Sequence, residues 1–469
     1  MRHYIKTFAL SLIAALACSC NNYIDIMPKG KQIPTTLEDF RVLMNYEYNV
    51  HYSPILQGLY LLNDNYVSKS YFTTDDLRRA NYMWDEKADR ITLNQSDEGT
   101  YFYSYAAINV VNLVIENAPT ATDATDAERA EAIAYAKAIR AQCYYILVNF
   151  YADQYDKATA STTLGVPVIT SADVDAPYTQ MTVQQVYDFI LNDLNEALAN
   201  GLPETAVNIL MPNKATAHAM LARVYMSMGE YDKALDNANK ALAYNDKLYN
   251  WNEFYDSYQE AIEMPESYNT IPTPMNYTYV ENYNFRSGDK SPNSTSADLN
   301  MSTYRAAKFE DGDAKFMARW KYRVNGQNTY YQGCCAGNQN YMGLTTVEMY
   351  LDKAECLARK GQIEDAMKCL NDVRVTRIRP DKYQPATAAN LAEAIAKIRL
   401  TKENELVYSI VEYADHRRFN HEGTYATTLD KEYEGTKYTL KPDSHLWTMV
   451  FPALAVNNHG NGSITQNSK

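Results

Sequence analysis

The chain has 469 residues and a formal charge of −13, with 44 Lys and Arg against 57 Asp and Glu. A content of 46% apolar and 22% charged residues is typical of a globular protein and excludes a disordered or fibrous one. Because phosphate binding needs clustered cations, the acidic balance argues against nucleic acid as the main partner. It argues equally against electrostatic attachment to an anionic membrane.

Tyrosine dominates the aromatic residues, with 41 Tyr against 12 Phe and 4 Trp. A tyrosine ring is apolar with a polar tip, which suits wet binding surfaces. General replacement of Phe by Tyr along the chain explains the same numbers equally well.

The N-terminal segment has the pattern of a bacterial secretory signal. A short basic stretch precedes an apolar run over residues 7–17, which at 11 residues is shorter than the roughly 20 that cross a bilayer. Small residues then lead to Cys18 and Cys20, as in a lipobox, where the cysteine becomes the lipidated first residue. The pattern predicts a signal peptide over residues 1–19 and attachment to the membrane through a lipid only. Simple cleavage into the periplasm is the alternative.

Most of the remaining chain has helical periodicity. Apolar spacing and capping residues predict helices over residues 36–46, 105–116, 128–151 and 182–200. Two later segments share a finer pattern around Gly229 and Gly361. In each, a small residue lies seven positions before the Gly, an aromatic or aliphatic residue two after it, and an Ala five after it. This spacing predicts two helix hairpins of the tetratricopeptide type, because small residues let helices approach and Gly permits the tight turn.

Residues 251–344 lie between the two hairpins and show little periodicity. They are rich in Tyr, Asn, Ser, Gly and Pro. So long an irregular stretch within a domain is usually functional or disordered, and the density of Tyr favours function.

Aromatic rings in non-helical segments are candidates for stacking on the apolar face of a sugar, with neighbouring polar side chains bonding its hydroxyls. The predicted ligand-binding residues are Tyr82, Trp84, Asp85, Tyr283, Trp320, Tyr330, Tyr331, Gln332 and Asn338. A packing role is the alternative for Trp84, and for Trp320, which lies in a segment that alternates like a strand. In the pair Tyr330-Tyr331 at least one ring should be exposed, because adjacent residues point in different directions.

No enzyme motif supports catalysis. The sequence has no nucleophile elbow, no zinc-protease motif and no phosphate-binding loop, so we predict no catalytic residue and no cofactor. Cys334 and Cys335 are adjacent, which leaves open a pair or free thiols, but no His or second Cys pair has zinc-like spacing, and no metal site is predicted.

A series of motifs along nearly the whole chain resembles the SusD/RagB family of nutrient-binding surface lipoproteins of Bacteroidetes. The start Cys20-Asn-Asn-Tyr23-Ile24-Asp25 is similar to that family's mature N-terminus, and this spacing favours Cys20 over Cys18. The other matching segments are Tyr105 to Asn112, Arg140-Ala141, Gly165-Val166-Pro167, Glu348 to Glu355, Leu370 to Arg374, and Glu405 to Arg418. Ser409 and Glu412 depart from the family pattern at positions that normally form a buried ion-pair cluster.

The resemblance implies a mainly α fold, with a scaffold of tetratricopeptide-type hairpins and an irregular, loop-rich ligand-binding region. The implied divisions are residues 1–19 (signal), 20–250 (N-terminal helical region), 251–344 (Tyr-rich insert) and 345–469 (C-terminal helical region and tail). The implied function is binding of oligosaccharides or polysaccharides at the cell surface. The protein would be lipid-anchored in the outer membrane, facing outwards, and would deliver its ligand to a SusC-like TonB-dependent transporter.

Three other functions remain open. A RagB-like peptide binder would share every one of these features. A scaffold that only holds partner proteins would bind no small ligand. An exported hydrolase is the least favoured of the three, since no catalytic constellation is present.

Overall fold

The structure is a computed structural model that describes residues 34–62, 65–66, 75–95, 99–264, 271–288, 300–326, 328–336, 339–433, 435–457 and 461–467. As the sequence predicts, it is mainly helical. The helices are α1 (Leu37–Asn45), α2 (Glu47–Val50), α3 (Leu56–Leu61), α4 (Asp76–Tyr82), α5 (Arg90–Leu93), α6 (Gly99–Asn117), α7 (Asp126–Tyr151), α8 (Val183–Asn200), α9 (Lys214–Ser227), α10 (Tyr231–Tyr244), α11 (Trp251–Ser257), α12 (Gln259–Glu263), α13 (Thr303–Ala306), α14 (Ala314–Arg319), α15 (Thr346–Arg359), α16 (Ile363–Arg374), α17 (Leu391–Glu405), α18 (Ile410–Glu422) and α19 (Ala453–Asn457). The strands are β1 (Asn65–Tyr66), β2 (Leu164–Val168), β3 (Thr179–Thr182), β4 (Ile271–Pro272), β5 (Asn300–Ser302), β6 (Trp320–Asn325), β7 (Asn328–Gly333), β8 (Cys335–Ala336), β9 (Leu429–Tyr433) and β10 (Thr436–Leu440).

Helix α7 is the centre of the main core. Every side chain from Ala138 to Tyr151 is buried, so this helix has no polar face and its sequence shows no amphipathic stripe. Thr125 caps its first turn in a reciprocal capping box with Glu128, which fixes where the helix begins. The helices α6 and α8 pack against α7 on either side.

Both predicted helix hairpins are present. The first consists of α9 and α10, the second of α15 and α16, and α10 packs against α15. Gly229 and Gly361 occupy the two turns with φ of +71° and +80°, the left-handed region that favours glycine. The predicted turn residues therefore have the conformation that their role requires.

Residues of the motifs form buried ion pairs that join the helices. The guanidinium of Arg140 donates to Asp193 at 2.7 and 2.9 Å and to Asn112 at 2.8 Å, which links α7, α8 and α6. In the C-terminal half, Arg418 of α18 donates to both carboxylate oxygens of Glu355 in α15 at 2.6 and 2.9 Å. These motifs thus hold the scaffold together.

The segment from Glu405 to Arg418, which matches one motif of the family, is not a single continuous helix. Helix α17 ends at Glu405, Tyr408 adopts φ of +67°, and α18 begins only at Ile410. Glu412 stabilises this break, because its carboxylate accepts a hydrogen bond from the backbone N–H of Tyr408 at 3.0 Å. The departure from the family pattern therefore concerns packing, as the sequence indicated.

The stretch expected to be irregular contributes β5, β6 and β7 to a small antiparallel sheet with the strand order β1-β5-β7-β6, and β1 comes from residues 65–66. Strand-like alternation extends over residues 315–324 in the sequence, but residues 314–319 are helical and the strand begins at Trp320. Tertiary packing overrides the local pattern here, since Ala314 and Ala318 are buried on the helix face. The C-terminal tail, also expected to be irregular, contains the β9–β10 hairpin.

None of the described helices combines the length and the apolar character that crossing a bilayer requires. The five cysteines within the described ranges, including Cys334 and Cys335, are buried free thiols.

Candidate functional site

The predicted ligand residues Tyr82 and Trp84 are packed inside the protein. Their side chains are buried, and the indole N–H of Trp84 donates to the carbonyl of Leu61 at 2.9 Å. The ammonium of Lys431, from β9, lies 3.8 Å from the ring centroid of Tyr82 and 4.1 Å from that of Trp84, and it donates to the carbonyl of Tyr82. Burial lowers the pKa of Lys431 well below its usual range. In this arrangement the two rings hold the β9–β10 hairpin and present no face to solvent.

Trp320 and Tyr283 are also buried. The Trp320 ring lies 5.7 Å from that of Tyr408 in the main core. The hydroxyl of Tyr283 donates to the carbonyl of Asn245, and the backbone N–H of Tyr283 donates to Leu344. Both arrangements correspond to packing, the alternative that the sequence analysis left open for Trp320.

The other candidates outside the sheet have different positions. Asp85 is exposed and accepts a hydrogen bond from the backbone N–H of Lys87 at 3.0 Å. Asn338 and Cys20 lie outside the described residues. Ligand binding by Asp85 and Asn338, and lipidation of Cys20, stay predictions.

The sheet brings together part of the predicted set. Directly opposed residues of antiparallel strands share a face, and successive residues alternate between faces. Tyr331 pairs with Tyr322 and Met301, and lies on the same face as the buried Trp320. The opposite face, here called the polar sheet face, carries Asn300, Ser302, Lys321, Arg323, Tyr330 and Gln332.

The polar sheet face combines one ring with several hydrogen-bonding groups. Tyr330 is half-buried and is paired across the strands with Arg323 and Ser302. The guanidinium of Arg323 donates to the side-chain oxygen of Gln332 and to the carbonyl of Tyr322, each at 3.3 Å. Partial burial lowers the pKa of the neighbouring Lys321 amine. A ring beside amide, hydroxyl and cationic groups is suited to a polar ligand with an apolar face.

The prediction for Tyr330 and Tyr331 agrees with the geometry, because the two rings lie on opposite faces and both are partly exposed. Sequence reasoning missed Asn300, Lys321 and Arg323. The dipeptide Asn325-Gly326 is a strong hairpin signal. It could have predicted the pairing of β6 with β7, and with it the position of Lys321 and Arg323 on one face. Gly326 indeed adopts φ of +63° at the turn between β6 and β7, and this turn fixes which residues share a face.

A second aromatic surface, the tyrosine cluster, consists of Tyr48, Tyr52 and Tyr103. The rings of Tyr48 and Tyr52 stack with centroids 5.0 Å apart, and Tyr103 lies edge-on to both at 5.6 and 4.8 Å. The hydroxyls of Tyr48 and Tyr103 form a hydrogen bond of 2.8 Å. Tyr48 remains 54% exposed, so part of the excess of tyrosine in this sequence lies at the protein surface. No sequence signal linked Tyr103 to Tyr48 and Tyr52, because Tyr103 comes from α6, 55 residues after Tyr48.

The described residues contain no group of three or more His, Cys, Asp or Glu side chains arranged to hold a metal ion. The polar sheet face offers no acid–base pair either, since its ionisable groups are Lys321, Arg323 and the phenol of Tyr330. This chemistry can bind and orient a ligand.

Comparison with known proteins gives sequence similarity over part of the chain and similarity of fold over nearly all of it. Residues 22–226 match the sequence family SusD-like_3, described as starch-binding and associating with the outer membrane. A segment of 137 residues is 34% identical to SusD-like protein P2 of Formosa agariphila, and the match covers 29% of this chain and 25% of that protein. The chain thus aligns with only a quarter of the length of that relative.

The fold extends the similarity over nearly the whole chain. A SusD superfamily protein from Bacteroides thetaiotaomicron superimposes with a TM-score of 0.70 at 19% identity, over 92% of this chain and 100% of that one. A SusD-like carbohydrate binding protein from Bacteroides vulgatus gives a TM-score of 0.62 at 19% identity, over 93% and 94% of the two chains. These similarities show that the chain has the fold of SusD superfamily structures, and that residues 22–226 match a SusD-like sequence family.

Proposed function

We propose that this protein is a cell-surface lipoprotein that binds oligosaccharides or polysaccharides and delivers them to a SusC-like TonB-dependent transporter in the outer membrane. The observation that carries the proposal is the polar sheet face, where Tyr330 lies among amide, hydroxyl and cationic side chains. A relative with the same fold is a carbohydrate binding protein, and the matching family is described as starch-binding, which supports a glycan as the ligand.

The binding chemistry follows from the geometry. One face of a sugar ring is apolar, and covering it with the Tyr330 ring removes on the order of 100 Å² of apolar surface from water, worth roughly 2–3 kcal/mol before entropy costs. Gln332, Arg323 and Ser302 surround that ring and supply donors and acceptors for sugar hydroxyls. The protein binds and releases the sugar unchanged, because the site lacks a pair of carboxyl groups across which a glycosidic bond could be cleaved.

Calorimetry with the chain from residue 21, which contains every described residue, tests ligand class. Neutral and acidic polysaccharides and a mixed peptide sample would be titrated in parallel. We expect binding to a glycan, with unchanged sugar recovered afterwards. Binding to peptides but to no glycan would establish the RagB-like alternative. If the protein bound none of these ligands, the result would favour a protein that only holds partner proteins.

Two tyrosines of the sheet provide a matched pair of variants. Tyr330→Ala should weaken glycan binding about tenfold or more, equivalent to at least about 1.4 kcal/mol. Tyr322→Ala removes an equally large ring from the opposite face, where it is 52% exposed, and should leave the affinity within a factor of about two. An equal loss of glycan affinity in the two variants would contradict the assignment of the binding site to the polar sheet face.

Anchoring and delivery need tests in the native membrane. Cys20→Ser should release the protein from the outer membrane, whereas Cys18→Ser should not. We expect the transporter to copurify with the anchored chain, and an unanchored chain that copurifies with no transporter would contradict the delivery role.

A further inference from the structure

The polar sheet face differs in charge from the rest of the protein. The chain carries 57 acidic against 44 basic residues, yet none of the residues in strands β1, β5, β6 and β7 is Asp or Glu. The charged residues of these strands are Lys321 and Arg323. Because they are two positions apart on β6, both side chains lie on the polar sheet face.

Lys321 has no anionic partner among the residues that the structure describes. Its ammonium forms no hydrogen bond and no ion pair with any residue in the described ranges, although the side chain is half-buried. Besides burial, the groups that influence its pKa are, in decreasing order, the thiol of Cys334, the guanidinium of Arg323, the thiol of Cys335 and the carboxylate of Glu263. Glu263 accepts hydrogen bonds from Tyr255 and Gln259, each at 2.9 Å, and is not within ion-pair distance of Lys321. Burying a cation without a partner is costly, so this position favours an anion supplied from outside.

A buried polar atom on the same face, two strands away from the cations, also lacks a partner among the described residues. Asn300 is 2% exposed, and its side-chain oxygen accepts no hydrogen bond from the described residues. Because side chains alternate along β5, Asn300 lies on the same face as Gln332, which is paired directly with Lys321. One face therefore carries both an unused acceptor suitable for a hydroxyl and, two strands away, a cation without an anion among the described residues.

We infer that the polar sheet face selects an acidic glycan, whose carboxylate or sulfate group binds Lys321 and Arg323 while a sugar ring lies against Tyr330. This inference rests on the proposed glycan-binding function and names its substrate class. The planar guanidinium can bond an oxyanion with two N–H groups, and the ammonium adds a compact charge beside it. Asn300 and Gln332 are then placed to bond hydroxyls of the same residue.

Matched polysaccharide pairs test the charge alone. The first arm compares polygalacturonate with its carboxyl-reduced, neutral form, and the second compares a carrageenan with its desulfated form. Calorimetry on the full chain from residue 21 should give at least tenfold tighter binding to one acidic member than to its neutral counterpart. The arm that responds distinguishes carboxylate from sulfate. Raising the salt concentration from 0.05 to 0.5 M should weaken the acidic interaction and leave the neutral one unchanged.

Charge-removing variants locate the effect. The double variant Lys321→Gln, Arg323→Gln should lose at least tenfold in affinity for the acidic glycan and abolish the preference over the neutral form. Lys240→Gln, on the exposed face of α10, is the matched control and should change nothing. Thermal unfolding of both variants should match the original protein, which separates lost binding from lost folding.

Two results would overturn the inference in different ways. Equal affinity for acidic and neutral members, or an acidic preference that survives in the double variant, would contradict acid selection and leave glycan binding intact. If the folded protein bound no glycan, charged or neutral, the result would overturn the proposed function and this inference together.

Discussion

The scaffold and the polar sheet face use charged residues in opposite ways. Between α15, α17 and α18, the ammonium of Lys402 lies 2.5 Å from Asp352 and 2.8 Å from Asp415, and Arg418 pairs with Glu355. On the polar sheet face, Lys321 forms no ion pair with any of the described residues.

The difference shows how to distinguish structural from functional charge in this fold. A buried cation that faces its own carboxylates has its electrostatic requirement met on folding, so it contributes to stability and offers nothing to a ligand. Lys431 faces no carboxylate in the part of the chain that the structure describes, but the rings of Tyr82 and Trp84 and the carbonyl of Tyr82 surround its ammonium. Lys321 has neither kind of partner among the described residues, which leaves its electrostatic requirement to a ligand. The scaffold should therefore respond to mutation through stability, and the sheet through affinity.

Removing Lys402 should have the largest effect on stability. Lys402→Met leaves the carboxylates of Asp352 and Asp415 buried without a cation, which should cost about 3–5 kcal/mol in the free energy of unfolding. Urea unfolding followed by circular dichroism measures this. The control is Lys368→Met, which breaks an exposed pair with Asp372 and should leave stability unchanged. A loss similar to that of the control would show that the buried network does not stabilise the scaffold.

Removing Trp84 tests whether a predicted ligand residue belongs to the scaffold. Trp84→Ala leaves a cavity beneath Lys431 and deletes the hydrogen bond to Leu61, so we expect a loss of about 3 kcal/mol in unfolding free energy. Thermal denaturation and calorimetry on the same sample separate the two roles. A variant that keeps full stability but no longer binds glycan would show that Trp84 belongs to the binding site.

Asp313 gives a pH-dependent test within the scaffold. It is the N-cap of α14, and burial, followed by the charge of Glu405, raises its pKa from 3.8 to about 7. The folded protein therefore holds a proton that the unfolded chain releases between these two values, so the contribution of Asp313 to stability is lost as the pH rises from about 4 to 7.

The variant Asp313→Asn keeps the cap and removes the titration. We expect it to be more stable than the original protein at pH 8 and nearly equal to it at pH 4, as measured by urea unfolding at each pH. A stability difference that is the same at both pH values would contradict the raised pKa.

The hairpin turns should show the smallest effect. Gly229 and Gly361 have positive φ, and an added Cβ would meet no other atom within 4 Å. Gly229→Ala should therefore cost only the backbone strain, about 1 kcal/mol. Gly201→Ala is an informative comparison, because its Cβ would lie 2.6 Å from the carbonyl oxygen of Ala130 and should cost more. Equal losses of stability in Gly229→Ala and Gly201→Ala would show that the steric contact at Gly201 does not affect stability.

The scaffold was largely predictable because its signals are local. The helices expected over residues 36–46 and 182–200 form α1 and α8, and Thr36 and Thr182 cap them by hydrogen bonds within four residues. The two hairpins follow from small residues at fixed spacing around Gly229 and Gly361. In each case the residues that decide the structure are close together in the chain.

The candidate site was less predictable because its signals are distant. Aromatic content pointed to Trp84 and Trp320, but both rings are buried by residues that are distant in the chain. Lys431 packs on Trp84 from hundreds of residues away, and Tyr408 packs on Trp320 from tens of residues away. Of the predicted ligand-binding residues, Tyr330 and Gln332 are the two that lie together on the polar sheet face.

The amino-acid sequence by itself determined the helical scaffold, its hairpins and the resemblance to the SusD/RagB family, since these depend on periodicity, capping and ordered motifs. Only the tertiary structure decided which rings are buried and which polar groups share a face. Pairing β5 with β7 brings Asn300 beside Gln332 across a long stretch of chain, and the pairing of β6 with β7 sets Lys321 and Arg323 on that same face. A shift of one residue in that register would turn them to the opposite side, because side chains alternate along a strand.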